Sequence, residues 1–588
     1  MLTIHRLPRR IQFYPVLGLL GACAQALTVT VTQSCNSSVY CSGDLLKKVQ
    51  LARIFPDSKS FVDMKLLHSE NETTANFAEL MHKTDQNPSH DQIVHFVRDH
   101  FSQAQELESW MPPDFDPEPP MLSGIVDPKL RNFAKNVTSI WLNLGRRVKV
   151  DVREHPDRYS FLYVPNGFIV PGGRFKELYY WDSFWIIKGL LISNMTQTAK
   201  GMIENLLYLV DKYGYVPNGS RIYYLGRSQP PLLAAMMAKY YDASGDITWL
   251  ERHLTTLEKE LEYWLDKKKV TIVVNETKYV LLRYFANKSL KGPRPESYYE
   301  DFVVAQNMPN EEMRESFYAE MKSAAESGWD FSSRWFVTAS NVTLGNLTDV
   351  HATRILPVDL NAIFAQALQL AGDFRNLIKD RRAARKWWSL ANYWRNAIHK
   401  VMWDDTDGVW YDYDVIARAP RKHFYPSCVA PLWSGAFEKE EGPRYAARLV
   451  KYLLSSGGLE FPGGVPASIL NSGEQWDYPN AWPPLQSILI DGLERSGYEE
   501  ARILAKEQAK IWIRANYIGY QNWQKMFEKY SAIQPGHEGG RGEYLVQEGF
   551  GWTNGVVLEL LKFYGSEILF NDVIHANTLP YVRQATVK

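Results

Sequence analysis

The sequence predicts an all-α fold, a closed ring of helix hairpins whose long loops gather at one end. Three observations carry this. Apolar residues recur at helical spacing through most of the chain beyond residue 120. The helices come in pairs joined by short turns such as "ASGD" and "RSGY", while longer glycine-, proline- and tryptophan-rich loops separate other helices. Alternating strand patterns are few, "KVTIVV" (Lys269 to Val274) being a minor exception. A rod-like helical solenoid is the alternative, but it needs a regular repeat of ~30 to 45 residues, and none is present.

Taken in order, the chain opens with Arg6, Arg9 and Arg10 ahead of an apolar run from about Val16, followed by Ala24-Gln25-Ala26 at A-x-A spacing. This is the layout of a secretory signal over residues 1–26. Leu20-Gly21-Ala22-Cys23 offers the competing reading of a bacterial lipoprotein box. Residues 27–120 read as an N-terminal extension packing on the ring, with short helices between about 42 and 110 and a proline-rich crossing segment, "MPPDFDPEPP". The ring is assigned to residues 121–575. Within it, "LPVDLNAIFAQALQLAGDF" carries Leu360, Ile363, Phe364, Ala367 and Leu368 on one stripe, with Asp359 as a candidate cap. "RRAARKWWSLANYWRNAIHKVMW" repeats the pattern with Trp387, Ala391, Trp394 and Ile398. Residues 576–588 form a polar tail with neither an apolar span nor a lipid-anchor signal.

Composition narrows the function. The 66 acidic and 66 basic residues balance, which excludes a broad basic surface for nucleic acid or an anionic membrane and favours a neutral partner. With 19 Trp and 33 Tyr, many beside Asp, Asn, Arg or Gly, the chain has the residues for a saccharide cleft, although any single ring is as well explained by a core. Beyond the signal only Cys35, Cys41 and Cys428 remain. The short "CNSSVYC" loop suits a Cys35–Cys41 disulfide in an oxidising compartment, and Cys428 reads as a buried, inert thiol. Nine N-x-S/T sequons, at Asn36, Asn71, Asn136, Asn194, Asn218, Asn275, Asn287, Asn341 and Asn346, favour a glycosylated, secreted protein.

Six loop stretches combine Arg, Asp or Glu, Asn or Gln and Trp beside Gly or Pro: "PGGRFKELYYWDSFW", "YVPNGSRIYYLGRSQPP", "GPRPESYYED", "ESGWDFSSRW", "GEQWDYPNAWPP" and "GGRGEYLVQEGFGWTNG". Arginine and carboxylate side chains hydrogen-bond vicinal hydroxyls in fixed directions, and indole faces stack on the C–H faces of a sugar. Other motifs fail. "WDDTDGVWYDYD" has Trp403 where a calcium loop needs its first ligand, and "HEGG" lacks the second histidine of a zinc helix. No phosphate loop or dinucleotide fingerprint is present, so no metal or cofactor is implied.

The first stretch and "QWDYPNAWPP" resemble the two signature sequences of the trehalase family of glycoside hydrolases, and the other four stretches resemble its further blocks, over about Gly145 to Tyr564. The resemblance implies an (α/α)6 toroid that hydrolyses α,α-trehalose with inversion. It aligns Asp330 with the general acid and Glu528 with the general base, which an inverting enzyme holds ~6.5–9.5 Å apart to admit a water. Read without the family, Asp330 is a helix cap ahead of "FSSRW" and Glu528 an exposed partner of Lys525 or Lys529. By the same resemblance Arg174, Trp181, Asp182, Asn218, Arg227, Ser228, Gln229, Arg294, Pro295, Glu296, Gly328 and Glu543 contact the sugar. Asn218 is then expected to carry no glycan.

Two departures from the family pattern stand out: Arg541 in "GGRGEY", where glycine is usual, and Ser531 in "EKYS", where aspartate is. Two rival readings keep the cleft, one as a sugar-binding receptor without catalysis and one as a hydrolase of another glucoside. Arginines near Asp330 would lower its pKa, whereas a general acid must keep its proton, so burial or a neighbouring carboxylate has to oppose them.

Overall fold

The computed structural model describes residues 35–286, 291–338 and 344–576, so the signal read at 1–26 and the tail beyond Ala576 lie outside the described residues. Twelve helices build the ring: α1 (Pro128–Ser139), α2 (Asp182–Ile192), α3 (Thr196–Tyr213), α4 (Leu233–Ser244), α5 (Ile247–Lys267) and α6 (Val358–Leu377), then α7 (Arg381–Met402), α8 (Ala430–Ser434), α9 (Gly442–Ser455), α10 (Pro483–Glu494), α11 (Glu499–Trp523) and α12 (Gly551–Tyr564). The even-numbered helices pack side by side in the order α2, α4, α6, α8, α10, α12 and back to α2, closing an inner ring. The odd-numbered helices pack outside them, α1 against α12, α5 against α6, α7 against α6 and α11 against α10. This is the (α/α)6 toroid.

Local chemistry starts the helices where they start. Asp127 accepts the N–H groups of Lys129 and Leu130 ahead of Pro128 at α1; Asp246 and Asp380 cap α5 and α7 through Trp249 and Ala383. Asp359 does not cap α6. Pro357 occupies the cap position, and the Asp359 carboxylate, inside the first turn, binds Arg334 instead. The outer helices are one-sided: α7 buries Trp387, Ala391, Trp394 and Ile398 and exposes Arg381, Arg382 and Arg385. Inner helices are sandwiched between that shell and the ring axis. From Asp182 to Leu190 every residue of α2 is buried, which blurs the helical period.

The ring closes where α2 meets α12. A Cβ on Gly555 would lie 2.1 Å from the Trp185 carbonyl oxygen, and one on Gly189 would lie 2.7 Å from the Gly555 Cα, so these two helices touch backbone to backbone. A glycine inside a helix costs about 1 kcal/mol relative to alanine, and close approach is what offsets it here. "KVTIVV" does form a strand, pairing in a hairpin with Thr277–Leu282. The rejected calcium loop is a turn between Trp403–Asp404 and Val409–Trp410, with Lys422 bound to both Asp404 and Asp407.

Ahead of the ring, helices Asp44–Ala52, Glu70–Lys83 and His90–His100 enclose a small core around Phe61 and Phe101 that includes Tyr179, Tyr223 and Tyr224 from the ring's own loops. "MPPDFDPEPP" is not helical before its last proline. Cys35 and Cys41 are joined in a disulfide, and Cys428 is buried, its thiol pushed far up by that burial. Among the described residues no helix is long and apolar enough to cross a membrane.

Substituting Gly555 by alanine should lower stability by about 1–3 kcal/mol through overpacking. Gly124→Ala, which meets nothing within 4 Å, should stay near the parent. Urea unfolding of the two variants beside the parent checks this.

Candidate active site

The N-terminal ends of four inner helices, α2, α4, α10 and α12, meet at one cavity of about 780 Å³ counted out to its mouth. Asp182 opens α2, Gln229 and Trp482 stand just before α4 and α10, and Phe550 and Trp552 flank the start of α12; all five line the cavity. The remaining wall comes from loops.

One wall is aromatic. Trp476 stacks on Trp482 with centroids 3.8 Å apart and planes 3° from parallel, and Trp181 leans on Trp476 at 5.6 Å. Gly328 makes room for Trp181: a Cβ there would lie 2.6 Å from the indole, and its φ of +77° is a left-handed conformation that glycine alone adopts at little cost.

Asp330 is held on a loop clamped from behind. Ser332, not Asp330, caps the short helix that follows, accepting the Arg334 N–H. Arg334 is fully buried and bidentate to both Asp359 and Asp412. The buried Asp477 accepts from the Ser332 hydroxyl and from the Ser333 N–H and hydroxyl, and Gln475 donates to the Asp330 carbonyl at 2.6 Å. The "QWDYPNAWPP" loop thus grips the "ESGWDFSSRW" loop through polar groups shielded from water, where each is strongest.

The Asp330 carboxyl itself opens into the cavity with 38% of its side chain accessible, yet protein surrounds it. Burial pushes its pKa up to about 7; Arg294 opposes this and Glu543 reinforces it. Arg294 stands 3.8 Å away because its guanidinium is committed elsewhere, to Asp301 at 2.8 Å and Glu543 at 2.9 Å.

Glu528 is not an exposed partner of a lysine. It is 2% exposed, and Lys525 pairs with Glu548 instead. Its backbone N–H donates to Gln547, Trp552 donates to its carbonyl, and its carboxylate accepts from the Tyr544 hydroxyl at 2.8 Å and the Gln547 N–H at 3.3 Å. Burial raises its pKa, while Lys529, Tyr544, Gln547 and Arg174 hold it down.

Of the sequence-derived residues, Arg174, Trp181, Asp182, Asn218, Arg227, Gln229, Arg294, Glu296, Gly328, Asp330, Glu528 and Glu543 all line the cavity. Ser228 and Pro295 do not. Ser228 is fully buried one layer behind, its N–H on Glu326 and its hydroxyl on the Val216 carbonyl, and the Pro295 carbonyl accepts from Gln50. The Asn218 amide donates to the Ser228 and Ala325 carbonyls and is 6% exposed. Asn36, Asn71, Asn194, Asn275 and Asn346 are exposed and Asn136 is half-buried, whereas Asn287 and Asn341 lie outside the described residues.

Arg227 and Glu296 form a close ion pair, but Arg227 Nε and Nη1 and Glu296 Oε2 are buried with no hydrogen-bond partner in the protein. Unpartnered buried polar groups are costly, which sets these atoms apart from the rest of the lining.

Sequence reasoning missed Tyr544, Gln475, Trp476 and Lys59, which also line the cavity. The first three adjoin residues or motifs already singled out, so position was a usable signal. Lys59 belongs to the N-terminal segment and carried none. At the two departures, the Ser531 hydroxyl accepts the N–H groups of Ile533 and Gln534, and Arg541, at φ +66°, is exposed while its carbonyl accepts from Lys529.

A family model described as Trehalase matches residues 53–565. The chain is 49% identical to a trehalase of Bombyx mori over 565 residues, covering 96% of each chain, and 42% identical to the Homo sapiens trehalase, covering 91% of this chain and 90% of that one. This chain belongs to the trehalase family. It is therefore a glycoside hydrolase. Among solved structures, the neutral trehalase of Saccharomyces cerevisiae matches at a TM-score of 0.54 and 25% identity, covering 71% of this chain and 75% of that one.

Because Asp477 satisfies several buried donors at once, Asp477→Ala should cost at least ~2 kcal/mol. Urea denaturation checks it, with Asp477→Asn expected to fall between that variant and the parent.

Proposed function

We propose that this chain hydrolyses α,α-trehalose to two glucose molecules with inversion, Asp330 acting as general acid and Glu528 as general base. The carrying observation is that these two carboxyls, 198 residues apart in sequence, share one cavity with the unpartnered faces of Arg227 and Glu296. Their surroundings split their roles. Asp330, with its pKa at about 7, retains a proton to give to the bridging oxygen as that C–O bond breaks. Glu528, whose carboxylate accepts from Tyr544 and the Gln547 N–H, takes a proton from the water that attacks the anomeric carbon. The Arg and carboxylate lining would bind hydroxyls, and the indole wall would pack on the sugar's C–H face.

We also read residues 1–26 as a secretion signal and the mature protein as a secreted glycoprotein. The Cys35–Cys41 disulfide and the exposed Asn36, Asn71, Asn194, Asn275 and Asn346 support this.

Asp330→Asn and Glu528→Gln should each lower kcat by at least ~10²-fold with folding retained. Proton NMR of fresh product from trehalose should show equal α- and β-glucose, and maltose should be a poor substrate. Near-normal turnover in either variant would remove that residue from its role.

Rate against pH should fall above about 7 as Asp330 loses its proton. It should also fall on the acid side as Glu528 gains one. Tyr544→Phe removes a donor to the Glu528 carboxylate, disfavouring its ionised form, so the acid limb should move to higher pH.

A further inference from the structure

The inner ring has a second end. There the C-terminal halves of the inner helices surround another cavity, of about 1050 Å³ against about 780 Å³ for the catalytic one on the same count. The proposed chemistry uses none of it. Its centre is a buried ion cluster in which Lys188 of α2 binds Asp491 of α10 at 3.0 Å and Glu559 of α12 at 2.5 Å. Those charges answer one another.

Around that centre stand three further polar side chains. Lys239 and Asp242 of α4 and Gln366 of α6 line the cavity, and none has a hydrogen-bond or ion-pair partner among the described residues. They supply an ammonium with three donors, a carboxylate acceptor, and an amide that both donates and accepts. Trp433 and Phe184, in edge contact at 5.7 Å, add apolar surface beside them. Lys239 and Asp242 are exposed, so the cavity opens to solvent.

We infer that this cavity is a second binding site, and that it takes a neutral polyhydroxylated molecule of hexose size. A cation or an anion would meet groups of its own sign on at least one side, because Lys188, Lys239 and Arg495 are interleaved with Asp242, Asp491 and Glu559. Vicinal hydroxyls both donate and accept, and a sugar's C–H face suits the aromatic wall. The link to the catalytic end runs along α2, where Phe184 abuts Trp185 and Trp185 abuts Trp181.

Hydrogen exchange on the full-length chain tests this with D-glucose in excess as the probe. Amides of helices 233–244 and 358–377 should exchange roughly threefold slower or more, the factor expected once ligand exceeds about twice its Kd. In Lys239→Ala/Gln366→Ala that slowing should vanish, while the response of the catalytic loops and the rate at low substrate stay as in the parent. Absence of slowing in the parent, equal slowing in the double variant, or slowing by inorganic phosphate in place of glucose would each overturn the inference.

Discussion

The Arg294 guanidinium, fully buried, serves more carboxylates than one positive charge can neutralise. Asp301 takes it through two nitrogens, Glu543 takes a third contact, and Asp330 is left at 3.8 Å. That order decides the chemistry of the cavity. Had Arg294 formed its close bidentate pair with Asp330, the carboxyl would be ionised at neutral pH. Held back instead, the cation stabilises the lining without stripping the proton. The competition between arginines and burial, open from sequence, resolves toward burial because the nearest arginine is spoken for.

Placing Asp330 at that distance depends on loops from distant parts of the chain meeting behind it. Asp359 and Asp412 fix Arg334, Asp477 fixes Ser332 and Ser333, and Gln475 fixes the Asp330 carbonyl. Gln475 also accepts from Lys529, the residue after Glu528. One amide side chain therefore touches the supports of both carboxyls, and their relative placement is tied through it. Buried polar networks of this kind are stabilising only when every member is satisfied, which makes the loop geometry narrow.

The outer ring was legible because α7 buries one side and exposes the other, so its period survives in sequence. The inner ring was less so: α2 is buried on all faces, and a helix wrapped in protein needs no polar stripe. The cavity lining was legible where residues sit in long motifs, as Arg294 and Glu296 do, but Ser228 and Pro295 share those motifs and face away. A motif records a neighbourhood, and only the backbone direction says which side chains reach the ligand. The N-terminal segment was read as packing on the ring, yet it reaches the cavity itself. Lys59 lines it, Asp57 pairs with Arg174 at 3.4 Å, and Lys59 and Arg221 hold the buried Glu177 at about 2 against the effect of burial. No pattern in residues 42–110 signals this, because the partners are single charges contributed across more than a hundred residues.

Three carboxyls crowd the floor of the cavity. Asp182 heads α2, where the partial positive end of a helix would favour its ionised form. Burial, and after it the charges of Glu528 and Asp330, push its pKa well above the ordinary range all the same. Like charges that share a poorly solvated space do not all persist. Among the three, only Glu528 accepts two hydrogen bonds on its carboxylate, and Lys529 and Arg174 also act in its favour. The ionised form is best supported at Glu528, while burial favours the protonated form at Asp182 and Asp330.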